Sequence, residues 1–136
     1  MPGLRANMRA MNTPITPDQA SALADEFVAL WNEADPAARA ERIAAHWAPQ
    51  AQHRVGQRHV RGAAELHDRV SAAHEKNVRE GRHRFVCQPG VQALDAMVLV
   101  PWAMVAADGR VAATGLDVLQ CDEYGRIASD HQFILS

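Results

Sequence analysis

Three short phrases of this chain carry side chains able to move protons. Gln52-His53-Arg54-Val55 holds a histidine, the one residue of its segment whose charge changes near neutral pH. Gly115-Leu116-Asp117-Val118 sets a single acid in apolar text, where burial would raise its pKa by disfavouring the charged form. Asp130-His131-Gln132, close to the end, is a further polar constellation. Together these residues suit acid–base chemistry on a small apolar substrate. Each also has a plain structural reading: Asp117 as an acid tied to a backbone amide or an arginine, His53 as a satisfied rim residue.

Other chemistries lack their grammar. There are seven histidines, but no His-Glu-x-x-His and no paired Cys-x-x-Cys, so no metal is expected. His67 and His74, beside Asp68 and Glu75, read as an exposed polar stripe of one helix. No Gly-x-Gly-x-x-Gly or phosphate loop is present, so no cofactor is expected. Cys87 has no partner beyond its neighbours Arg84 and Phe85, which argues against a nucleophile. A net charge of −2 with mixed signs excludes an electrostatic footprint for nucleic acid. Basic residues do gather between Arg54 and Arg84, but Glu65, Asp68, Glu75 and Glu80 are interleaved, the pattern of a solvated helix face. Cys87 and Cys121 read as small buried hydrophobes in a reducing compartment.

No apolar run approaches membrane-spanning length, and residues 1–11 lack the apolar stretch of a secretory signal. Residues 1–15 are expected to be a loose tail, with Met8 and Met11 as alternative starts, and residues 16–136 a single cytoplasmic domain.

Those residues must be positioned by a sheet. From Ala96 to Leu135 the chain reads as three long strands joined by two tight turns, at Asp108-Gly109 and Asp122 to Gly125. Asp-Gly between apolar runs is a hairpin signal, because a primed turn needs positive φ at its centre. The strands are apolar at successive positions, which predicts cover on both faces. One cover is helix and the other a partner subunit or more of the chain. Thr16-Pro17-Asp18-Gln19 starts a first helix with a Thr cap and a capping-box Gln. Asp35-Pro36 starts a second, running to about Trp47 and stopped by Pro49. Short extended stretches at 51–55 and 58–60 lead to a third helix over Gly62 to Glu80, with Gly81 at its C′ position. Residues 82–88 open the sheet, with Pro89-Gly90 as a bend. The order α-α-β-α-β-β-β-β is that of an α+β domain.

This order, together with Phe27-Val-Ala-Leu-Trp-Asn-Glu-Ala-Asp35, Ala48-Pro-Gln-Ala51, Val60-Arg-Gly-Ala-Ala64, Gly115-Leu-Asp117 and Asp122-Glu-Tyr-Gly-Arg-Ile127, resembles the nuclear transport factor 2-like superfamily in its SnoaL-like and ketosteroid-isomerase-like branch. The resemblance spans about residues 17 to 135. It implies a cone: a curved mixed or antiparallel sheet wrapped on three helices, an apolar cavity, and a homodimer through the outer sheet face. Function is left wide, since the fold hosts isomerases, cyclases, hydrolases, dehydratases and binding proteins. A steroid isomerase of this type needs a tyrosine on the first helix and an aspartate after the second. Phe27 and Val55 stand at those positions, and only Asp117 matches the donor acid. The epoxide-hydrolase set is also missing, because the strand with Val98, Val100 and Trp102 lacks its Arg and Asp.

If Val55 faces the cone, period-two alternation puts His53 on the same face. Asp117 then comes from the opposite wall among Val100, Trp102, Met104 and Leu119. The family register turns Asp130, Gln132 and Ile134 inward, where Asp130 or Gln132 would orient substrate or water; a slip of one residue turns His131 and Phe133 inward instead. Trp102 reads as core or stacking platform, and Trp31 and Trp47 as packing between helices. The expectation is a cofactor-free proton-transfer enzyme acting on a small apolar carbonyl compound. Catalysis falls to Asp117, His53 and Asp130, and the pocket to Phe27, Val55, Val100, Trp102, Met104, Leu119 and Gln132. A non-catalytic binding module for a hydrophobic metabolite and a dimeric scaffold with a filled cone remain as alternatives.

Overall fold

The computed structural model describes residues 14–136. Most of the expected N-terminal tail therefore lies outside the described residues; Ile15 packs on the core, and its N–H donates to Asp95 O at 2.9 Å. Helix α1 (Pro17–Asn32) opens with the Thr16–Gln19 capping box, and α2 (Pro36–His46) with an Asp35 side-chain cap. Strands β1 (Trp47–Val55) and β2 (Arg58–Arg61) follow, then α3 (Gly62–Ala73), which continues as π-helical turns over His74–Glu80. The remainder is strand: β3 (His83–Cys87), β4 (Gln92–Leu94), β5 (Met97–Ala106), β6 (Val111–Cys121) and β7 (Ile127–Ile134). Among the described residues no helix is long and apolar enough to cross a membrane.

The seven strands form one sheet in the order β2-β1-β7-β6-β5-β3, with β4 also paired to β5. All pairings are antiparallel except β1 with β7, which is parallel. That single parallel pairing joins the first and last strands and sets His53 directly opposite Asp130. Register shifts within β1, near Met104 and near Gln120 are the irregularities that let a sheet bend around its helices. The core runs from Ala24, Leu30 and Trp47 through Leu66 and Val70 to Val98, Val100, Leu119 and Ile127. Asn32 fastens the end of α1 to β3 with two bonds, Nδ2–H to Phe85 O (2.7 Å) and Phe85 N–H to Oδ1 (2.8 Å). Arg39, 6 % exposed, holds the α1–α2 turn to α3 through Glu33 O, Ala34 O and Ser71 Oγ.

The α+β class and the helical spans agree with the sequence, and the differences are local. Trp47 begins a strand instead of ending a helix. Pro49 lies within β1, in the stretch where pairing to β7 is interrupted, the place in a sheet where a residue without an N–H is tolerated. A short strand, β4, lies between the Pro89-Gly90 bend and β5, where the sequence order has none. Gly81 is right-handed (φ −76°), and the left-handed residue after the helix is Arg82 (φ 57°). His74 is buried instead of exposed, at the point where α3 gives way to its π-helical turns.

Candidate functional site

β1, β7, β6 and β5 lie side by side, and their inward polar groups occupy successive levels: His53 with Asp130, then Asp117 with Gln132, then Trp102. Pairing places His53 opposite Asp130 and Asp117 opposite Gln132, so Asp117 and Asp130 are diagonal neighbours on one face. His53 is 1 % exposed, and Asp117 and Asp130 are wholly buried. His53 Nδ1 lies 2.6 Å from Asp130 Oδ2, and the Trp102 Nε1–H donates to Asp117 Oδ1, also at 2.6 Å. This Trp102 bond needs Gly115. The residue pairs with Trp102, and a Cβ there would clash with the Cζ2 and Cε2 atoms of the indole.

Two carboxyls and an imidazole this close cannot all be charged. Burial, then the neighbouring Asp130, pushes Asp117 up to about 10, so it holds its proton at neutral pH. Burial also raises Asp130, to about 7, against the Asp117 O–H, which favours its ionised form. His53 is pushed down to about 4, first by burial and then by Arg69 and Arg58, with Asp117 opposing. The arrangement consistent with these directions has neutral Asp117 donating to Asp130. The Asp130 carboxylate accepts the His53 Nδ1–H, and the imidazole is neutral. His53 Nε2 is then a lone pair, buried and without a partner. A histidine fixed at Nδ1 by a carboxylate, with Nε2 free, is the arrangement of a general base. The three residues also offer donor atoms within 4.8 Å of one another, a spacing a divalent cation would accept. With Asp117 protonated and His53 neutral, the group carries one negative charge, on Asp130.

A cavity of about 410 Å³ adjoins this cluster, within the range of small-molecule sites. Phe27, Trp31, Phe85, Trp102 and Met104 give it apolar walls, while Arg58, Arg69, Lys76, Asn77 and Gln132 supply polar groups. It adjoins an outer groove that shares Arg58, Arg69, Gln132 and Ile134 and adds Val55.

Of the expected pocket residues, Phe27, Trp102, Met104 and Gln132 line the cavity, and Val55 lines only the groove. Val100 and Leu119 do not line it. They face inward but at a level that core side chains fill, and both are fully buried. His53 and Asp117 do not oppose each other across a space; they belong to one cluster behind Trp31, Trp102 and Gln132. Asp130 and Gln132 point inward, while His131 and Phe133 are exposed.

Reading the sequence missed Trp31, whose ring lies 5.4 Å from the His53 imidazole and lines the cavity, so it does more than pack helices. It also missed Arg58, Arg69 and Lys76, assigned to a solvated face. Their spacing along β2 and α3 carried no signal separating them from the exposed charges between them.

No protein-family model matches the chain, and no curated protein matches its sequence. Solved structures match its shape. A candidate isomerase of the SnoaL-like family from Agrobacterium tumefaciens superposes with a TM-score of 0.81 at 24% identity, covering 88% of this chain and 99% of that one. A SnoaL-like protein of unknown function from Burkholderia thailandensis gives 0.68 at 16% identity, covering 91% and 100%. A de novo designed protein with a curved β-sheet also reaches 0.68, at 13% identity and 88% of each chain, so this architecture exists apart from any natural activity. The chain has the nuclear transport factor 2-like fold, in the form shared by SnoaL-like and ketosteroid-isomerase-like proteins.

Proposed function

We propose that this protein is a cofactor-free acid–base enzyme that moves a proton on a small, mainly apolar carbonyl compound. The observation that carries the reading is the buried His53–Asp130 bond of 2.6 Å with Nε2 left unpartnered, behind the cavity-lining Trp31 and Gln132. A buried imidazole lone pair without a donor is a net loss to folding unless something uses it. In this reading His53 Nε2 takes a proton from carbon next to the carbonyl. Asp130 holds the ring and balances the imidazolium that forms. Asp117 stays protonated, donating to Asp130, so the cluster carries one negative charge and not two. Trp31 or Gln132 must shift for substrate to reach Nε2, since His53 is not on the cavity wall.

Exchange of carbon-bound protons for deuterium in a panel of small ketones, followed by NMR, tests this. The wild type should exceed buffer, and His53→Gln should lose at least about a hundredfold of the rate, the usual worth of a positioned base. Ketones that bind without exchanging refute it. That result would favour the second reading, a binding module for a hydrophobic metabolite, which the screening of the cluster from the cavity supports. In either case a second copy is the proposed cover of the outer sheet face, where Leu99, Pro101, Leu116 and Val118 are only partly buried and Phe133 is 53 % exposed.

A further inference from the structure

We infer that the cavity takes an apolar molecule bearing one carboxylate, and that Arg69 and Arg58 hold that carboxylate at the cavity mouth. The inference rests on the cavity being a ligand site, as proposed above, but on no chemistry occurring there. Arg69 projects from α3 into the cavity wall with its guanidinium carbon 5.7 Å from the Trp31 ring centroid. Its Nε is buried and has no acceptor. Arg58, exposed on β2, lines the same wall, and its charge adds to burial in lowering the Arg69 pKa, so the two guanidinium groups are within electrostatic reach.

Among the described residues neither arginine has a carboxylate at ion-pair distance; Arg54, Arg61, Arg82, Arg84 and Arg110 also have none, but they are exposed, whereas Arg69 is half-buried. Glu65 is one turn before Arg69, the position from which a helix ordinarily supplies the partner. It turns away instead, accepting from the Arg61 backbone N–H at 3.4 Å. Two adjacent cations left without counter-charge, one with a buried donor unmet, make a place for an anion. A guanidinium fork matches the two oxygens of a carboxylate. Gln132, whose Oε1 is buried and unpartnered, lines both the cavity and the groove with them. The buried negative charge on Asp130 disfavours a doubly charged head such as a phosphate. Phe27, Phe85 and Met104 fit the apolar body, which would lie inward of the carboxylate.

The test is calorimetric titration of the full chain with phenylbutyrate, phenylbutyramide and phenylpropyl phosphate, using wild type, Arg69→Gln and Arg58→Gln. Arg84→Gln, at an exposed site away from the cavity, serves as control. Phenylbutyrate should bind wild type and control about tenfold or more tighter than the amide, the worth of a charge-assisted hydrogen bond. Arg69→Gln and Arg58→Gln should each lose most of that preference and bind the amide as before; Arg58→Gln, at an exposed position, carries the test should Arg69→Gln misfold. Equal binding of acid and amide, or a preference that survives in both variants, overturns the anion site and leaves the cavity reading standing. Tighter binding of the phosphate overturns the assignment to a single charge. No binding of any compound up to about 1 mM overturns both readings together.

Discussion

Replacing Asp117 with asparagine should make this protein more stable, by an amount that grows with pH. In the folded chain Asp117 keeps its proton to about 10, against an ordinary value of 3.8. Between 3.8 and pH 7 lie about three pH units, each worth about 1.4 kcal/mol, so holding the acid neutral costs the native state about 4 kcal/mol at pH 7. The sign follows from proton counting. Above pH 3.8 the unfolded chain has released this proton and the native chain has not. Native protein therefore binds more protons, and the contribution of Asp117 to stability falls as pH rises toward 10.

Asparagine keeps both hydrogen bonds without the protonation cost, because its Oδ1 accepts from Trp102 and its amide donates to Asp130. Allowing for a weaker amide match, Asp117→Asn should gain about 2–4 kcal/mol at pH 7. For a domain of this size that raises Tm by about 6 °C or more. Urea unfolding of both proteins at a series of pH values from about 4 to 9 reads the effect. The difference between them should be near zero at the acid end and widen by about 1.4 kcal/mol per pH unit. A variant no more stable than wild type at pH 7, with a difference that does not change with pH, refutes the reasoning. Asp117 would then be ionised in the native state, and the charge of the cluster would need another balance.

His53 should behave oppositely. Its value is lowered from 6.5 to about 4, so the stability it contributes is present above pH 6.5 and is lost as pH falls toward 4, by up to about 3 kcal/mol; an imidazole NMR titration with a midpoint near 6.5 would contradict this. Gly115→Ala should destabilise by about 2–5 kcal/mol, adding overpacking against Trp102 to the loss of its bond to Asp117; a change under about 0.5 kcal/mol in urea unfolding would show that the indole can move aside at little cost. Phe133→Asp on the outer face should leave a monomer where wild type sediments as a dimer at micromolar concentration, and a wild-type monomer would remove the proposed interface.

Which parts of this molecule a single sequence discloses follows from the range over which each signal acts. The Thr16 capping box, the Asp108-Gly109 turn and the apolar runs of β5 and β6 are local, and each forms where its residues stand. Alternation along β7 pairs Asp130 with Gln132 on one face and His131 with Phe133 on the other, but only the assembled sheet, with Asp130 buried and Phe133 exposed, decides which face is inward. The His53–Asp130 bond is different. It spans 77 positions and depends on a parallel pairing of the first and last long strands, with no residue pattern of its own.

Charge is harder still. Between Arg54 and Arg84 the basic residues look alike along the chain, yet Arg79 faces solvent on Glu75 while Arg69 lies over Trp31 with no acid to meet it. What separates them is the curvature of the sheet that brings β1 and β2 under α3. Local patterning can report that an arginine has acids nearby in sequence, as Arg69 has Glu65, but only the assembled cone shows that the acid turns elsewhere. The sites most open to function are therefore those where a local pairing rule fails, and Arg69 is the clearest such failure in this chain.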